Sequence, residues 1–211
     1  MTGASIGPAK AGDGMKPAIV IAAGGEGRRI GGGKPEQLLG GQRLLDRAIA
    51  MACAQSDCVA LAVRDATQAP EVALPLLGDA EAGIGPISAL ASAFRFAEQK
   101  SRSCVLLIGC DQPFLPDDLA AQLGAALGDG NVAMPVSRGR YQPLAALWRP
   151  DVGALTEYIA AGGQSLWRFA AARGVVHVEW PAAAEGASDP FANINDPAGL
   201  LEAERHLNTL A

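Results

Sequence analysis

The 211-residue sequence has few aromatic residues, few histidines and no surplus of basic side chains. Aromatic residues make up 5% of the chain, so the core must be built from alanine, valine, leucine and isoleucine. The net charge of -5 disfavours nucleic-acid binding, which normally requires a basic surface. Two histidines leave little material for a histidine-rich metal site or a Ser-His-Asp triad.

Long apolar runs and CxxC cysteine pairs are also missing. Apolar runs such as Val105–Ile108 are too short to span a bilayer, and residues 1–14 lack the continuous apolar segment of a signal peptide. The four cysteines are therefore expected to be reduced, mostly buried thiols of a cytoplasmic protein. Residues 1–15 are expected to be a disordered lead-in, and residues 16–211 a single domain.

Segments with strand and helix patterns alternate along the chain. The predicted strands are 18–23, 58–63, 105–110, 132–135, 143–148 and 175–180. The predicted helices are 44–53, 87–96, 116–127, 152–160, 164–172 and one that starts at Asp196-Pro197. This alternation predicts a single three-layer α/β/α Rossmann-like domain with a mostly parallel sheet, in which ligands bind beyond the carboxyl ends of the strands.

A glycine-rich loop follows the first predicted strand. Gly24, Gly25 and Gly27 allow backbone N–H groups to point into one concavity, which is a typical phosphate site. Arg28, Arg29 and Lys34 add positive charge that would neutralise a triphosphate. The glycines alone are equally compatible with a surface loop, and the nearby cations favour the phosphate interpretation.

Two standard phosphate motifs fit this loop poorly. A Walker A motif fails because Arg28 stands where glycine is needed and Pro35 where serine or threonine is needed. The dinucleotide fingerprint G-x-G-x-x-G fails because Ile30 replaces its last glycine. Asp46 stands at about the distance of a ribose-binding carboxylate, so a dinucleotide site remains a weaker alternative.

Carboxylates and amides follow other predicted strands. Asp111 comes directly after the strongest buried strand, where it could hold Mg²⁺ or could simply cap a turn. Asp79 ends another short apolar run and could face the same crevice. Asn193 and Asn195 alternate, so both side chains would leave one face of an extended segment and could bind an amide-like edge or a phosphate; ordinary turn chemistry is the alternative.

Together, these segments resemble the MobA-like nucleotidyltransferases. The matching stretches, in order, are 22–34 (AAGGEGRRIGGGK), 85–90 (GPISAL), 110–116 (CDQPFLP), 143–148 (PLAALW) and 191–197 (FANINDP). They extend from about Pro17 to the C-terminus. The combination is specific, although each stretch alone is short.

The resemblance implies transfer of GMP from GTP to the terminal phosphate of molybdopterin, with release of pyrophosphate and with Mg²⁺, or Mn²⁺ in its place, as the metal. It implies catalytic roles for Lys34, Arg28 and Asp111, with Asp111 as the metal ligand. The implied nucleotide-binding residues are Ala23, Gly24, Gly25, Gly27, Arg28, Lys34, Asp79 and Asp111. Asn193 and Asn195 would lie on the molybdopterin side.

Several alternatives remain open. Gln112 is more typical of cytidylyltransferases that act on the same pterin, and the stretch 59–65 lacks the asparagine that often accompanies guanine binding. A sugar-phosphate nucleotidyltransferase and a non-catalytic nucleotide-binding module are further candidates. The expected partners are the two small-molecule substrates and, transiently, enzymes that use the molybdenum cofactor. We expect a monomer that binds neither nucleic acid nor membrane.

Overall fold

A computed structural model of the chain describes residues 16–24, 34–64, 71–78, 84–181 and 188–210. The strands are β1 Ala18–Ala22, β2 Leu38–Leu39, β3 Gln42–Arg43, β4 Val59–Val63, β5 Leu76–Gly78, β6 Val105–Gly109, β7 Val132–Ser137, β8 Arg140–Tyr141, β9 Leu147–Trp148 and β10 Val175–Glu179. The helices are α1 Leu44–Gln55, α2 Pro86–Gln99, α3 Leu119–Leu127, α4 Val152–Ala160, α5 Leu166–Arg173 and α6 Pro197–Leu210.

One mixed sheet forms the centre of the molecule. Its strand order is β10-β7-β9-β6-β1-β4-β5, and β8 pairs with β7. The pairs β5–β4, β4–β1, β1–β6 and β7–β10 are parallel, whereas β9 runs antiparallel between β6 and β7. The prediction of a mostly parallel sheet is confirmed. Strand β9 lies between β6 and β7 and runs antiparallel to both, so β6 and β7 point in the same direction.

Helices cover both faces of this sheet. Along β1, Val20 faces an apolar cluster that includes Phe94 of α2 and Phe169 of α5. Its neighbour Ile19 faces the opposite cluster, which includes Leu45 of α1. Because successive strand residues point to opposite faces, β1 is buried on both sides. The predicted three-layer α/β/α architecture is therefore confirmed.

Two predicted elements differ in detail. The expected strand 143–148 consists of a single 3₁₀ turn, Pro143–Ala145, followed by β9. Pro143 has no N–H to donate to a ladder, and Ala145 N donates to the Gln142 carbonyl at 3.0 Å, which closes the turn instead.

The helix expected from residue 116 begins at Leu119, so Asp117 and Asp118 precede it. Its N-terminal turn is stabilised by a distant side chain, since Ala120 N donates to Gln55 Oε1 at 2.8 Å. Asp118 instead accepts a hydrogen bond from the Gln122 side chain at 2.8 Å. The last helix begins as predicted, because Asp196 Oδ1 accepts from Gly199 N at 2.8 Å and Pro197 occupies the first turn.

None of the four cysteines forms a disulfide, and they are not uniformly buried. Cys58 and Cys110 are buried, Cys104 is half-buried and Cys53 is exposed, so the expectation of mostly buried thiols holds only in part. Burial raises the pKa of the Cys104 thiol. Among the helices that the structure describes, none combines the length and the apolar character needed to cross a membrane.

Candidate active site at the carboxyl edge of the sheet

The first predicted site segments meet because β1 and β6 are neighbours. Ala22 pairs with Gly109 at the end of the ladder, and Cys110 N donates to the Ala22 carbonyl at 3.2 Å. Gly24 and Asp111 each lie two residues beyond these paired positions. Parallel pairing therefore brings the start of the glycine loop and the candidate metal ligand to one edge of the sheet.

The start of the glycine loop packs tightly against β4. Ala23 is buried and its N–H donates to the Ala62 carbonyl at 2.9 Å. A Cβ added at Gly24 would stand 3.2 Å from the backbone nitrogen of Arg64. Glycine at this position therefore allows the chain to leave β1 close to the end of β4.

Several predicted nucleotide-binding residues lie outside the described part of the chain: Gly25, Gly27, Arg28 and Asp79. Lys34 begins a single 3₁₀ turn, Lys34–Glu36, that contacts α1. The structure thus describes the backbone of Lys34 but not its side chain.

Asp111 is held in a narrow space beyond β6. Its exposed fraction is 8%, and a Cβ added at Gly109 would clash with its Oδ1 atom. The same Cβ would lie 3.0 Å from Leu144 Cδ2. The missing side chain at Gly109 therefore leaves the volume that the Asp111 carboxylate uses.

Sequence reasoning gave no structural role to Gln112, which is 3% exposed. Gly109 N donates to Gln112 Oε1 at 3.1 Å, and Gln112 Nε2 donates to the Phe191 carbonyl at 3.4 Å. The side chain thus ties the end of β6 to the segment before Asn193. In the sequence, only its position next to Asp111 indicated a role for Gln112. Its hydrogen-bond partners can be recognised only in the folded structure.

The segment with the two asparagines is fastened directly to the Asp111 loop. Ile194 N donates to the Asp111 carbonyl at 2.9 Å, and the Ile194 side chain is 3% exposed. Asn193 and Asn195 on either side are exposed and line one cleft. The structure therefore brings both predicted amides to the edge where Asp111 lies, with the apolar residue between them facing inward.

This cleft has a volume of about 640 Å³. Its described lining residues are Arg138, Arg140, Tyr141, Gln142, Asp189, Phe191, Ala192, Asn193 and Asn195. We refer to it as the carboxyl-edge cleft. Asp189 fixes one wall, since its Oδ1 accepts from Ser137 Oγ at 2.8 Å and from Phe191 N at 3.0 Å.

Asp46 serves another role than the ribose-binding carboxylate of a dinucleotide site. It lies in the first turn of α1 and pairs with Arg43 at 2.8 Å. Hydrogen bonds from Arg43 to Asp46 and Glu36 raise the pKa of the guanidinium above its usual range. The structure accounts for Asp46 through this ion pair at the start of the helix.

The described residues contain no cluster of three or more histidine, cysteine, aspartate or glutamate side chains that could hold a metal ion. Asp111 therefore offers one carboxylate rather than a full protein cage. Mg²⁺ is commonly held by one or two carboxylates together with substrate phosphates and water. The space that Gly109 leaves for Asp111 is compatible with that kind of site.

Comparison with known proteins points to one family. The family profile described as "MobA-like NTP transferase domain" matches residues 19–178. A molybdenum cofactor guanylyltransferase of Sinorhizobium fredii is 37% identical over 206 residues, covering 93% of this chain and 94% of that protein. One of Acidiphilium cryptum is also 37% identical, covering 88% of this chain and 92% of that protein.

A solved structure shares the fold. The crystal structure of molybdopterin-guanine dinucleotide biosynthesis protein A from Archaeoglobus fulgidus superposes with a TM-score of 0.74 at 21% sequence identity. The match covers 91% of this chain and 99% of that one.

Proposed function

Because this chain belongs to the MobA-like NTP transferase family, we propose that it transfers GMP from GTP to the terminal phosphate of molybdopterin. Relatives named molybdenum cofactor guanylyltransferase that match nearly the whole chain support this choice of substrates. One structural observation carries the site: the bond of 2.9 Å between Ile194 N and the Asp111 carbonyl. This bond supports the proposal that the asparagines and the Asp111 carboxylate belong to one site, because it joins the backbones of their two segments.

The proposed chemistry is a direct displacement at the α-phosphorus of GTP. An oxygen of the acceptor phosphate forms a new bond to that phosphorus. The bond from the α-phosphorus to the α–β bridging oxygen breaks, and its electron pair leaves with pyrophosphate. An acceptor phosphate that is already fully ionised has no proton to lose, so positioning and charge stabilisation are the main demands on the protein.

Roles on the nucleotide side follow the family resemblance. Backbone N–H groups near Gly24, Gly25 and Gly27 would bind the β- and γ-phosphates, and Ala23 would form the floor beside them. Arg28 and Lys34 would neutralise the charge that builds up on the leaving pyrophosphate. Asp79 would contact the nucleoside. It directly follows Gly78, the last residue of β5.

Asp111 would hold Mg²⁺, or Mn²⁺ in its place, against the phosphate oxygens of GTP. When bound, the ion would offset phosphate charge and fix the geometry of the triphosphate. The protein contributes a carboxylate that is 8% exposed and positioned over the space left by Gly109. A carboxylate held in this way needs little reordering when the metal and nucleotide arrive.

Gln112 does not argue for cytosine over guanine. Both ends of its side chain bond to backbone groups, at Gly109 and Phe191. Its residue type is therefore accounted for by the link between two loops. We accordingly propose guanine as the base and treat cytosine as an outcome to be tested.

We also propose that the reaction takes place in the cytoplasm, which is supported by four cysteines that form no disulfide. The product would then pass to enzymes that use the molybdenum cofactor. The chain is proposed to act as a monomer whose partners are these small molecules.

The test supplies the protein with molybdopterin and Mg²⁺ and adds GTP, CTP or ATP in parallel, with pyrophosphate release as the readout. We expect release with GTP and formation of a pterin–guanine dinucleotide detectable by mass spectrometry. Release with CTP but not with GTP would show that the enzyme is a cytidylyltransferase and not a guanylyltransferase. Release with none of the three would overturn the proposal, and omission of molybdopterin is the control for simple hydrolysis.

A further inference from the structure

A β-hairpin forms one wall of the carboxyl-edge cleft. Strands β7 and β8 pair Ser137 with Arg140 and are joined by the two residues Arg138 and Gly139. Arg138 and Arg140 line the same cleft as Asn193 and Asn195. The proposed function assigns no role to this hairpin.

The conformation of Arg138 points to a function. Its φ is +51° and that of Gly139 is +71°, which is the pattern of a two-residue type I′ hairpin turn. Asn or Gly normally fills the first position, because a larger side chain is disfavoured at positive φ. An arginine kept in such a conformation is a reason to look for a role of its side chain.

Pairing in the hairpin places Arg140 on the side of the asparagine segment. Residues opposite each other in an antiparallel pair point to the same face. Ser137 faces the asparagine segment, because its hydroxyl donates to Asp189 Oδ1 at 2.8 Å. Its partner Arg140 therefore lies on the same face of the hairpin as Ser137.

The hairpin is fixed on both faces. On one face, Asp189 accepts from Ser137, as described. On the other, the Tyr141 ring packs against His177 and Trp167, with ring centroids 4.7 and 5.9 Å away. A wall held in this way can present charged groups without the cost of ordering a loose loop.

The charge of the cleft favours an anionic ligand. The described lining residues include two arginines and one carboxylate. That carboxylate, Asp189, already accepts two hydrogen bonds through Oδ1. The chain as a whole carries a net charge of -5, so positive charge is locally concentrated here.

We propose that Arg138 and Arg140 bind the phosphate of the acceptor and so determine its affinity and orientation. This assignment rests on the proposed function, which places the acceptor beside Asn193 and Asn195. Guanidinium groups form paired, charge-assisted hydrogen bonds with phosphate oxygens, and a phosphorylated acceptor offers such oxygens. The two arginines thereby act on the acceptor, not on the nucleotide.

Arg138→Gly and Arg140→Gln test the proposal, with Arg168→Gln as a matched control on the exposed surface of α5. We expect each hairpin variant to raise the KM for molybdopterin by about tenfold or more, and to leave the KM for GTP within about twofold. Arg138→Gly removes a side chain from a positive φ, so its thermal midpoint should stay the same or rise. Unchanged stability with weaker acceptor binding separates a binding role from a structural one.

A second measurement works without turnover. Quenching of tryptophan fluorescence by added molybdopterin gives the acceptor Kd in the absence of GTP, and NaCl should weaken binding more for the wild type than for Arg140→Gln. An acceptor Kd and salt dependence equal to those of the wild type in both hairpin variants would overturn the inference. If the wild type binds molybdopterin, the hairpin variants bind it more weakly and none of the proteins transfers a nucleotide, the proposed function fails and only the hairpin's binding of this phosphate ligand stands.

Discussion

The two edges of the central sheet each carry an open cleft of similar size, and the described lining of each includes two basic side chains and one carboxylate. The carboxyl-edge cleft has about 640 Å³ and is lined by arginines, amides and one aspartate. The amino-edge cleft has about 510 Å³ and lies among the starts of β4 and β5 and the end of α2. Volume alone therefore does not identify the site.

Polar groups are used differently at the two edges. At the amino edge, Ser56 Oγ donates to the Pro17 carbonyl at 2.6 Å, and Asp57 pairs with Arg102 at 3.2 Å. These bonds tie the amino-edge segments to one another, and apolar side chains such as Phe96 line the cleft together with Lys100. At the carboxyl edge, backbone bonds hold the segment while Asn193 and Asn195 remain exposed in the cleft. In parallel sheets, strand ends and their following loops converge at the carboxyl edge, and side chains there can be spared for ligands.

The largest difference in turnover between the two edges is expected when a carboxylate is removed from each. Asp111→Ala should lower turnover by about a hundredfold or more, because it removes a preorganised group that stabilises charge in the reaction. Lys34→Ala should have an effect of the same order for the same reason. Pyrophosphate release under saturating substrates measures both. Asp57→Ala at the amino edge is the matched control, and turnover near that of the wild type for Asp111→Ala would contradict the assignment.

Gly109 tests whether the space beside Asp111 matters. Gly109→Ala would force its Cβ against Asp111 Oδ1 and Leu144, so we expect stability to fall by about 1–3 kcal/mol. Turnover should fall by about tenfold or more, since small displacements of catalytic groups are costly. Urea unfolding and pyrophosphate release measure the two effects.

Gly124→Ala in α3 is the control, because nothing lies within 4 Å of its added Cβ. It should stabilise the protein by about 0.5–1 kcal/mol with no change in turnover. A Gly109→Ala enzyme that behaves like this control would show that Asp111 has room to spare.

Two glutamines allow a smaller comparison between the site and the scaffold. Gln112 links the ends of β6 and the asparagine segment, whereas Gln55 links α1 to α3, next to the amino-edge residue Ser56. Gln112→Met leaves the buried Gly109 N–H without its acceptor, which costs about 1–3 kcal/mol. We expect the KM for molybdopterin to rise about fivefold, because about 1 kcal/mol of that cost should reach the acceptor side.

Gln55→Met should lower the thermal midpoint to a similar extent without changing either KM. Steady-state kinetics with each substrate varied in turn would separate the two variants. Equal KM values in both would mean that Gln112 supports only the fold.

The smallest effect is expected from the ion pair at the amino edge. The hydrogen bond from Arg102 is the main cause that lowers the pKa of Asp57 below its ordinary value. A depressed pKa means that the stabilisation is present above about pH 4, where the unfolded carboxyl is ionised, and is lost as the pH falls through the folded pKa. Asp57→Asn should thus lower the thermal midpoint slightly at pH 7 and less at pH 3, with turnover unaffected.

Differential scanning fluorimetry of both proteins across this range checks the sign. A gap that widened on acidification would contradict it.

Much of the site could be placed from local sequence. The strand before Gly24, the strand before Asp111 and the helix start at Asp196-Pro197 each depend on neighbouring residues alone, and the structure has all three. Alternation also sufficed to place Asn193 and Asn195 on one side, with Ile194 buried between them. Such features follow from backbone propensity and the two-residue period of an extended chain.

Other features needed long-range contacts. The start of α3 depends on Gln55, which lies far away in sequence, so local acidic residues predicted the start wrongly. The reversal of β9 depends on its pairing with β6 and β7. Neither partner can be recognised from the segment itself, because both are set by packing across the sheet.

By itself, the sequence determined the α/β class, the glycine loop and the carboxylate and amides that follow the strands. Tertiary structure alone decided that Asp111 and the asparagine segment share a backbone hydrogen bond and that Gln112 links them. It also decided that the hairpin with Arg138 and Arg140 forms a wall of the same cleft as the asparagines. The physical reason is the distance along the sequence over which each effect acts. Propensity and periodicity act over a few residues, whereas register and loop contacts are fixed by hydrogen bonds between distant segments. The low aromatic content predicted an aliphatic core, but it did not predict that Trp148, Phe94 and Phe169 would pack against one another on one face of the sheet.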